Sequence, residues 1–211
     1  MKKQNKKIIS VFAIIAIICS LFSNAFAATD AVTLQIGDNK TNYDTVAEAV
    51  AAVPKDNSNA VIILNDNFTG SGVKVNANQN ITFDLNNFTW DITNTVGSTG
   101  TETNGLQLLK GSTVKIQNGY ITSKTAKLLI QNYCNLTLDN VKLSGTDNLT
   151  QYIVSNNNGS TTITGGSEIT AAAGGMAFDS DKWGGYDGGN VILESGTKMV
   201  ILMLQTAVKW L

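Results

Sequence analysis

Short phrases with one alternating pattern of apolar residues recur along the chain, and this repetition constrains the fold more than any other feature. Two alternate positions align across the phrases NITFDL, TVKIQNG, NLTLDN, STTITGG and NVILESG. The aligned pairs are Ile81/Phe83, Val114/Ile116, Leu136/Leu138, Thr161/Ile163 and Val191/Leu193, and we place Val61/Ile63 at the head of the series. Self-similarity of this kind predicts a repeat architecture.

Two further series keep step with the first, so that each repeat of about 22–25 residues holds three short strands. The second series is Leu106/Leu108, Leu128/Ile130, Tyr152/Val154 and Met176/Phe178, and the third is Ile121, Leu143 and Ile169. Turn residues separate the first series from the third, at Asn118, Asn140, Gly165 and Ser195. Such a unit can bury its apolar positions only by stacking on its neighbours. We therefore predict an all-β solenoid of parallel coils about 4.8 Å apart, with an antiparallel sandwich as the alternative.

The N-terminal segment has the pattern of a secretory signal peptide. Four lysines precede an apolar run at 8–22, and Ala25 and Ala27 follow it. This pattern predicts a signal peptide over 1–27 and no retained membrane span, and hence a secreted, extracellular or cell-surface protein. The predicted β-helix domain spans 28–198. The apolar tail at 199–211 lacks the turn of the earlier repeats. It has two alternative interpretations, a last strand of the solenoid or the end of a truncated array.

Charge and composition exclude several classes of function. Cleavage after residue 27 removes four of the 15 lysines and leaves 11 against 16 Asp plus Glu, a net charge of −5. Because nucleic-acid binding relies on basic residues that neutralise phosphates, nucleic acid is excluded as a partner. The chain has no histidine and, since all 15 basic residues are lysines, no arginine. Catalytic mechanisms that need an imidazole or a guanidinium group are therefore excluded. This favours a non-enzymatic role without a cofactor.

One helical pattern stands at the start of the predicted domain. Val46, Ala49, Val50 and Val53 follow helical spacing and Pro54 ends the run, which predicts a short helix within 44–54. The segments YDTVAEAVAAVPKDNSNAVIILNDN and VKVNANQNITFDLNNFTW resemble the opening of pectin-lyase-like right-handed parallel β-helices, especially those of secreted and surface proteins of Gram-positive bacteria. The resemblance implies that the helix caps the first coil. It identifies a fold better than an activity.

The resemblance makes a polysaccharide lyase or glycoside hydrolase the alternative function. Lyases of this family use an Arg or Lys base beside an acidic calcium site, and its hydrolases use several aspartates. In the predicted alignment Asp84 and Asp139 lie two coils apart in one outward row, about 10 Å from each other, and Lys115 lies in the neighbouring row. These three residues are the catalytic candidates if the protein is an enzyme. A third reading is a structural spacer of a longer surface protein.

The connectors from the second series to the first all occupy one corner of the predicted coil. Four of them stack there, KGST, QNYCN, SNNNGS and DSDKWGGYDGGN, and bring aromatic, carboxylate and amide side chains to one edge. Sugar recognition uses apolar stacking together with a few directed hydrogen bonds. The candidate carbohydrate-binding residues are Tyr133, Trp183, Tyr186 and Asp187. The aspartates of this stretch match no calcium loop, so no metal site is predicted, and the expected partner is an extracellular polysaccharide or a host or cell-wall glycan.

Overall fold

The computed structural model describes residues 30–146, 151–181 and 189–200 and forms a parallel β-solenoid of about five turns. Three strands make up each complete turn. The first set of stacked strands is β3 (Asn59–Leu64), β6 (Asn80–Asp84), the first half of β10 (Thr113–Ser123), the first half of β12 (Asn135–Gly145), β14 (Ser160–Thr164) and β17 (Val191–Leu193).

The other two sets of strands complete the turns. The second set, which contains the third series of the sequence, is β4 (Phe68–Ser71), β7 (Thr89–Asn94), the second halves of β10 and β12, β15 (Glu168–Thr170) and β18 (Lys198–Val200). The third set, which contains the second series, is β5 (Val73–Val75), β9 (Thr101–Leu108), β11 (Leu128–Asn132), β13 (Tyr152–Asn157) and β16 (Met176–Asp181). All neighbours within a set pair in parallel, so the prediction of an all-β solenoid rather than a sandwich is confirmed.

Three strands depart from the parallel pattern, all in the first half of the described chain. β1 (Val32–Ile36) pairs antiparallel with both β3 and β2 (Asn39–Tyr43), and β8 (Val96–Ser98) pairs antiparallel with β9. The described part of the chain therefore begins with an antiparallel ribbon on the first coil. The alternating pattern of the repeats gave no indication of this ribbon.

The predicted register of the first set is confirmed from β6 onward. Val114 pairs with Ile81 and Leu136, and Ile116 pairs with Phe83 and Leu138. These residues and Ile163 are almost completely buried, so equivalent apolar side chains stack inside the coil. The third-series residues Ile121, Leu143 and Ile169 likewise pair in register and are buried.

The alignment was wrong at two places. In β3 the inner positions are Ala60 and Ile62, which pair with Ile81 and Phe83, not Val61 and Ile63. The run AVIIL is apolar at every position, so periodicity could not set its phase. In β9, Leu106 pairs with Ile130 and Leu108 with Asn132, two residues away from the predicted alignment. The error arose because Asn132, a buried asparagine, occupies the position that Leu108 holds one coil earlier.

The predicted short helix is present as α1 (Val46–Ala52), the one helix among the described residues. Thr45 and Glu48 form a capping box, in which each side chain bonds the other residue's backbone N–H and so satisfies the first turn. The Gln79 side chain donates to the carbonyl oxygens of Val50 and Val53, which ties the end of the helix to the solenoid. Within the described ranges the chain contains no helix with the length and apolar character needed to cross a membrane.

Asparagine turns join the first and second sets, as predicted. Asn118 and Asn140 adopt φ of 58° and 50°, and Gly165 takes over with φ of 63°. Asparagine tolerates this left-handed conformation better than most residues because its amide bonds locally. The Asn140 amide donates to Asn118 Oδ1 at 3.1 Å, and Asn118 in turn donates to Asp84. Side-chain hydrogen bonds thus connect the turns of successive coils. In the last coil the left-handed residue is Gly196, one position after the predicted Ser195.

Candidate functional site

The stacked connectors between the third and first sets form one corner of the solenoid. Tyr133, Lys110 and Asn158 come from three successive connectors and line the same two clefts, which agrees with the predicted shared edge. The first, which we call the corner cleft, has a volume of about 270 Å³ and is lined by Ser98, Gln107, Leu109, Lys110, Tyr133 and Asn158. The second cleft, of about 250 Å³, extends past Gly111 and Gly159.

A tight turn directs Tyr133 to this corner. The preceding residue, Asn132, is fully buried, and its Oδ1 accepts a hydrogen bond from the Cys134 N–H at 2.9 Å. This closes an Asx turn with Tyr133 at its centre. The Tyr133 N–H donates to the Leu108 carbonyl of the coil below at 2.9 Å. Tyr133 is therefore half-buried on a braced backbone, and it lines both clefts.

The other predicted carbohydrate-binding residues, Trp183, Tyr186 and Asp187, lie outside the described residues. The strand that leads to them is described: β16 pairs with β13, and Asp179 lies opposite Ser155. Tyr133 is therefore the one member of the predicted carbohydrate-binding set whose surroundings the structure gives.

Three amide side chains next to the corner cleft form a group that the sequence analysis missed, and we call it the amide cluster: Asn104, Gln107 and Gln131. The amide nitrogens of Asn104 and Gln107 both donate to Gln131 Oε1, at 3.0 and 3.1 Å. Asn104 and Gln107 are 4% and 5% exposed. No donor in the described part of the chain reaches Asn104 Oδ1 or Gln107 Oε1. The correct register would have revealed the pair, because it places Gln107 directly beside Gln131.

The predicted catalytic candidates lie where the alignment put them. Asp84, Gln117 and Asp139 occupy successive coils of one outward row, and Lys115 lies between Thr82 and Thr137 in the next. Each carboxylate has a partner: Asp139 Oδ2 is 2.7 Å from Lys115 Nζ, and Asp84 Oδ2 accepts from Gln117 Nε2 at 2.8 Å. Cross-strand pairs of this kind stabilise a solvated sheet face. Stabilisation of the sheet is therefore sufficient to explain the presence of these charged residues in the row.

Cys134, at the edge of the second cleft, is 4% exposed. Burial raises the pKa of the Cys134 thiol to about 11, and a hydrogen bond involving Ser112 opposes the rise. The thiolate is the reactive form of cysteine, so the thiol is protonated and unreactive at neutral pH.

A larger cleft than these two, of about 830 Å³, lies beside α1 and β4. Asp30, Asp44 and Asp66 line it together with Phe68 and several asparagines and threonines. Within the described ranges no three Asp, Glu, Cys or His side chains lie close enough together to hold a metal ion. Carboxylates along an open groove are ordinary for a solvated surface, and nothing else in the groove indicates a ligand.

Comparison with known proteins gives no relative. No protein-family model matches the chain, and neither the curated proteins nor the solved structures contain a match. What the structure shows is therefore an architecture, that of a parallel β-solenoid.

Proposed function

We propose that the chain is an exported, secreted or cell-surface right-handed parallel β-helix that binds glycans without turning them over. In this proposal α1 caps the first coil, and the fold is related to the pectin-lyase-like β-helices of Gram-positive bacteria. The ligand is an extracellular polysaccharide or a host or cell-wall glycan, held along the corner where the connectors stack.

The observation that carries the proposal is the position of Tyr133. Tyr133 lines both clefts on a backbone fixed by the Asn132 turn and by the bond to Leu108. An aromatic ring on a rigid support provides the apolar face on which a sugar ring stacks, and neighbouring polar groups orient the sugar. Leu109 adds apolar surface, while Lys110 and Asn158 supply polar groups from adjacent coils.

A change of Tyr133 to alanine tests the proposal. We expect residues 28–211 to bind at least one polysaccharide on a glycan array, and Tyr133→Ala to weaken that binding about tenfold, because the stacking face is lost. Titration calorimetry with the polysaccharide that binds wild type most strongly measures the effect.

Tyr120→Ala is the matched control. Tyr120 is 44% exposed on the second set of strands, where the Lys142 ammonium lies 5.7 Å from the centre of its ring. It lines neither of the corner clefts, so its removal is expected to leave binding unchanged. Equal losses in the two variants, or no loss in Tyr133→Ala, would disprove the corner as the binding site.

The outward row of Asp84 and Asp139 supports a second candidate, a polysaccharide lyase or glycoside hydrolase. Two coils, about 10 Å, separate these carboxylates, a distance at or just beyond the upper end of the separation in inverting glycosidases. Release of reducing ends or unsaturated products from pectins or other polysaccharides, abolished by Asp139→Asn, would establish this activity. We expect no product, because each carboxylate already has a bonding partner on the sheet.

A structural spacer is the third candidate, and the same measurements separate it from a binding module. A spacer would give no signal on the array, and Tyr133→Ala would change only the stability of the fold.

A further inference from the structure

We propose that the glycan site continues from the corner cleft along β11 to Leu128, Tyr152 and Met176, so that the protein holds an extended, β-1,4-linked sugar chain. This inference rests on the proposed glycan-binding function and specifies the shape of the ligand and a second group of contact residues. The three residues occupy equivalent positions of β11, β13 and β16 in successive coils, and we call them the apolar row.

The first step concerns the exposure of the apolar row. Met176 is 46% exposed, and Leu128 and Tyr152 are half-buried. The residue that follows each of them is almost completely buried: Leu129, Ile153 and Ala177. Because neighbouring side chains in a strand lie on opposite faces, this contrast places the apolar row on the outer face of the solenoid.

Contacts in the preceding coil agree with this direction. A Cβ at Gly105 would lie 3.2 Å from Cδ1 of the buried Ile92, so the Gly105 position is directed at the core. Asn104 precedes Gly105 and pairs with Leu128, so both of these side chains lie on the outer face. The Asn104 amide is accordingly hydrogen-bonded at 3.0 Å to the side chain of Gln131, which stands between two buried residues of β11.

The second step concerns the contrast between the apolar row and the rest of the outer surface. In the same three coils many outward positions of the other two sets carry polar side chains, among them Lys115, Thr137 and Thr162 in the first set and Thr122, Ser144 and Thr170 in the second. Single exposed apolar residues are ordinary on a protein surface, whereas a contiguous group marks an interaction site. The apolar row is such a group, because its members stack about 4.8 Å apart.

The third step connects the apolar row to the corner cleft. Leu128 begins β11 and Tyr133 follows its last residue, a separation of about 16 Å along an extended strand. Gln131 lies between them and is half-buried. Tyr152, beside Leu128, and Tyr133 thus stand near the two ends of one strand with an amide between them. Sugar sites combine aromatic surface with a few directed polar groups in this way.

The length and straightness of this path select the ligand. A distance of about 16 Å along the strand corresponds to about four residues of an extended sugar chain. β-1,4-linked chains are extended ribbons that can follow a strand, whereas α-1,4-linked chains curve away from it. The ligand is therefore a β-1,4-linked chain bound along its length, with Tyr133 at one end of the contact and the apolar row at the other.

The test uses residues 28–211 and seven named probes: the hexaoses and disaccharides of the β-1,4-linked glucan, mannan and xylan series, and maltohexaose. We expect at least one β-1,4-linked hexaose to bind. We expect the corresponding disaccharide and maltohexaose to bind at least tenfold more weakly, because neither reaches both ends of the path. Competition calorimetry measures the affinities.

Tyr152→Ala supplies the matching change on the protein side. We expect it to weaken binding of the hexaose about tenfold and to leave binding of the disaccharide unchanged, because a disaccharide held at Tyr133 does not reach the apolar row. Tyr133→Ala should weaken the binding of both ligands. Tyr152→Phe keeps the stacking surface and is the control, so it should bind the hexaose as wild type does. A role of Tyr152 in stability alone would change hexaose and disaccharide binding equally.

The outcomes distinguish this inference from the proposed function. Tyr133-dependent binding that is equal for disaccharide and hexaose, or insensitive to Tyr152→Ala, overturns the role of the apolar row and leaves glycan binding intact. A preference for maltohexaose, or binding of other polysaccharides on the array but of no β-1,4-linked hexaose, overturns the extended ligand. A dimer that Tyr152→Ala dissociates in light scattering, with unchanged hexaose affinity, would show that a second copy occupies the row. If no glycan on the array binds, or Tyr133→Ala has no effect, the proposed function fails and this inference fails with it.

Discussion

Replacement of Trp90 by alanine is expected to lower the free energy of unfolding by about 3–5 kcal/mol, the usual cost of removing a buried tryptophan. Trp90 is completely buried in β7 and pairs with Phe68 in the coil below and Ile121 in the coil above. Its ring also contacts Phe83, which belongs to the first set of strands, at a centroid distance of 5.8 Å. The side chain therefore joins two coils and two faces of the core.

Urea denaturation of wild type, Trp90→Ala and Trp90→Phe measures this cost. The indole N–H of Trp90 is buried and has no acceptor in the described part of the chain. Trp90→Phe consequently loses volume but no hydrogen bond, and we expect it to cost clearly less than Trp90→Ala. Tyr120→Ala serves as the exposed control and is expected to cost no more than about 1 kcal/mol. An equal cost for the buried and exposed changes would contradict the packing described for the second coil.

The stacking in the core explains why the sequence predicted so much of the fold. In a parallel solenoid each inner residue lies on its equivalent one coil away, so Phe83, Ile116 and Leu138 must all be apolar. Apolar residues then recur at the period of the coil, and the period is visible in the sequence. The same reasoning placed the turns at Asn118 and Asn140, because a sharp corner between two strands favours residues that adopt a left-handed backbone.

The errors in the sequence analysis have equally specific causes. The run at 60–64 is apolar throughout, so both phases fit, and only pairing with Ile81 and Phe83 shows that Ala60 and Ile62 point inward. The antiparallel strands β1 and β8 occur once each and leave no periodic signal.

The candidate site was predicted only in outline. Stacking of the connectors placed Tyr133 at the corner, since that follows from the repeat alone. The amide cluster depends on side-chain hydrogen bonds between coils, and a shift of two residues in the alignment of β9 concealed that Gln107 lies beside Gln131. A polar residue inside a repeat is hard to identify from one sequence, because it interrupts the apolar pattern on which the alignment relies.

The buried asparagines at the corner lead to the second prediction of large effect. Asn132 Nδ2 donates to Asn156 Oδ1 of the next coil at 2.8 Å and to Thr161 Oγ1 at 3.1 Å, while its Oδ1 accepts from the Cys134 N–H. Both asparagines are completely buried. We expect Asn132→Leu to lower the free energy of unfolding by about 3 kcal/mol, because it leaves the Cys134 N–H without an acceptor inside the protein.

A double-mutant cycle shows whether the two asparagines act as a unit. Asn156 Nδ2 continues the ladder to the Gly159 carbonyl and to Ser180 Oγ, so Asn156→Leu alone also breaks several bonds. Partners in one hydrogen-bond network give non-additive effects, and loss of both partners is often cheaper than the sum of the single losses. We therefore expect the double variant to cost at least 1 kcal/mol less than the sum of the single variants, measured by urea denaturation. Additive costs would mean that the two amides stabilise their own turns independently.

The same variant separates the fold from the site. Because Asn132 closes the turn around Tyr133, Asn132→Leu should also reduce polysaccharide binding at temperatures where the variant is still fully folded. Trp90→Phe is destabilised through the core and touches neither the turn nor the clefts, so under the same conditions it should bind as wild type. Loss of binding in both variants would indicate that overall stability, and not the position of Tyr133, controls recognition at the corner.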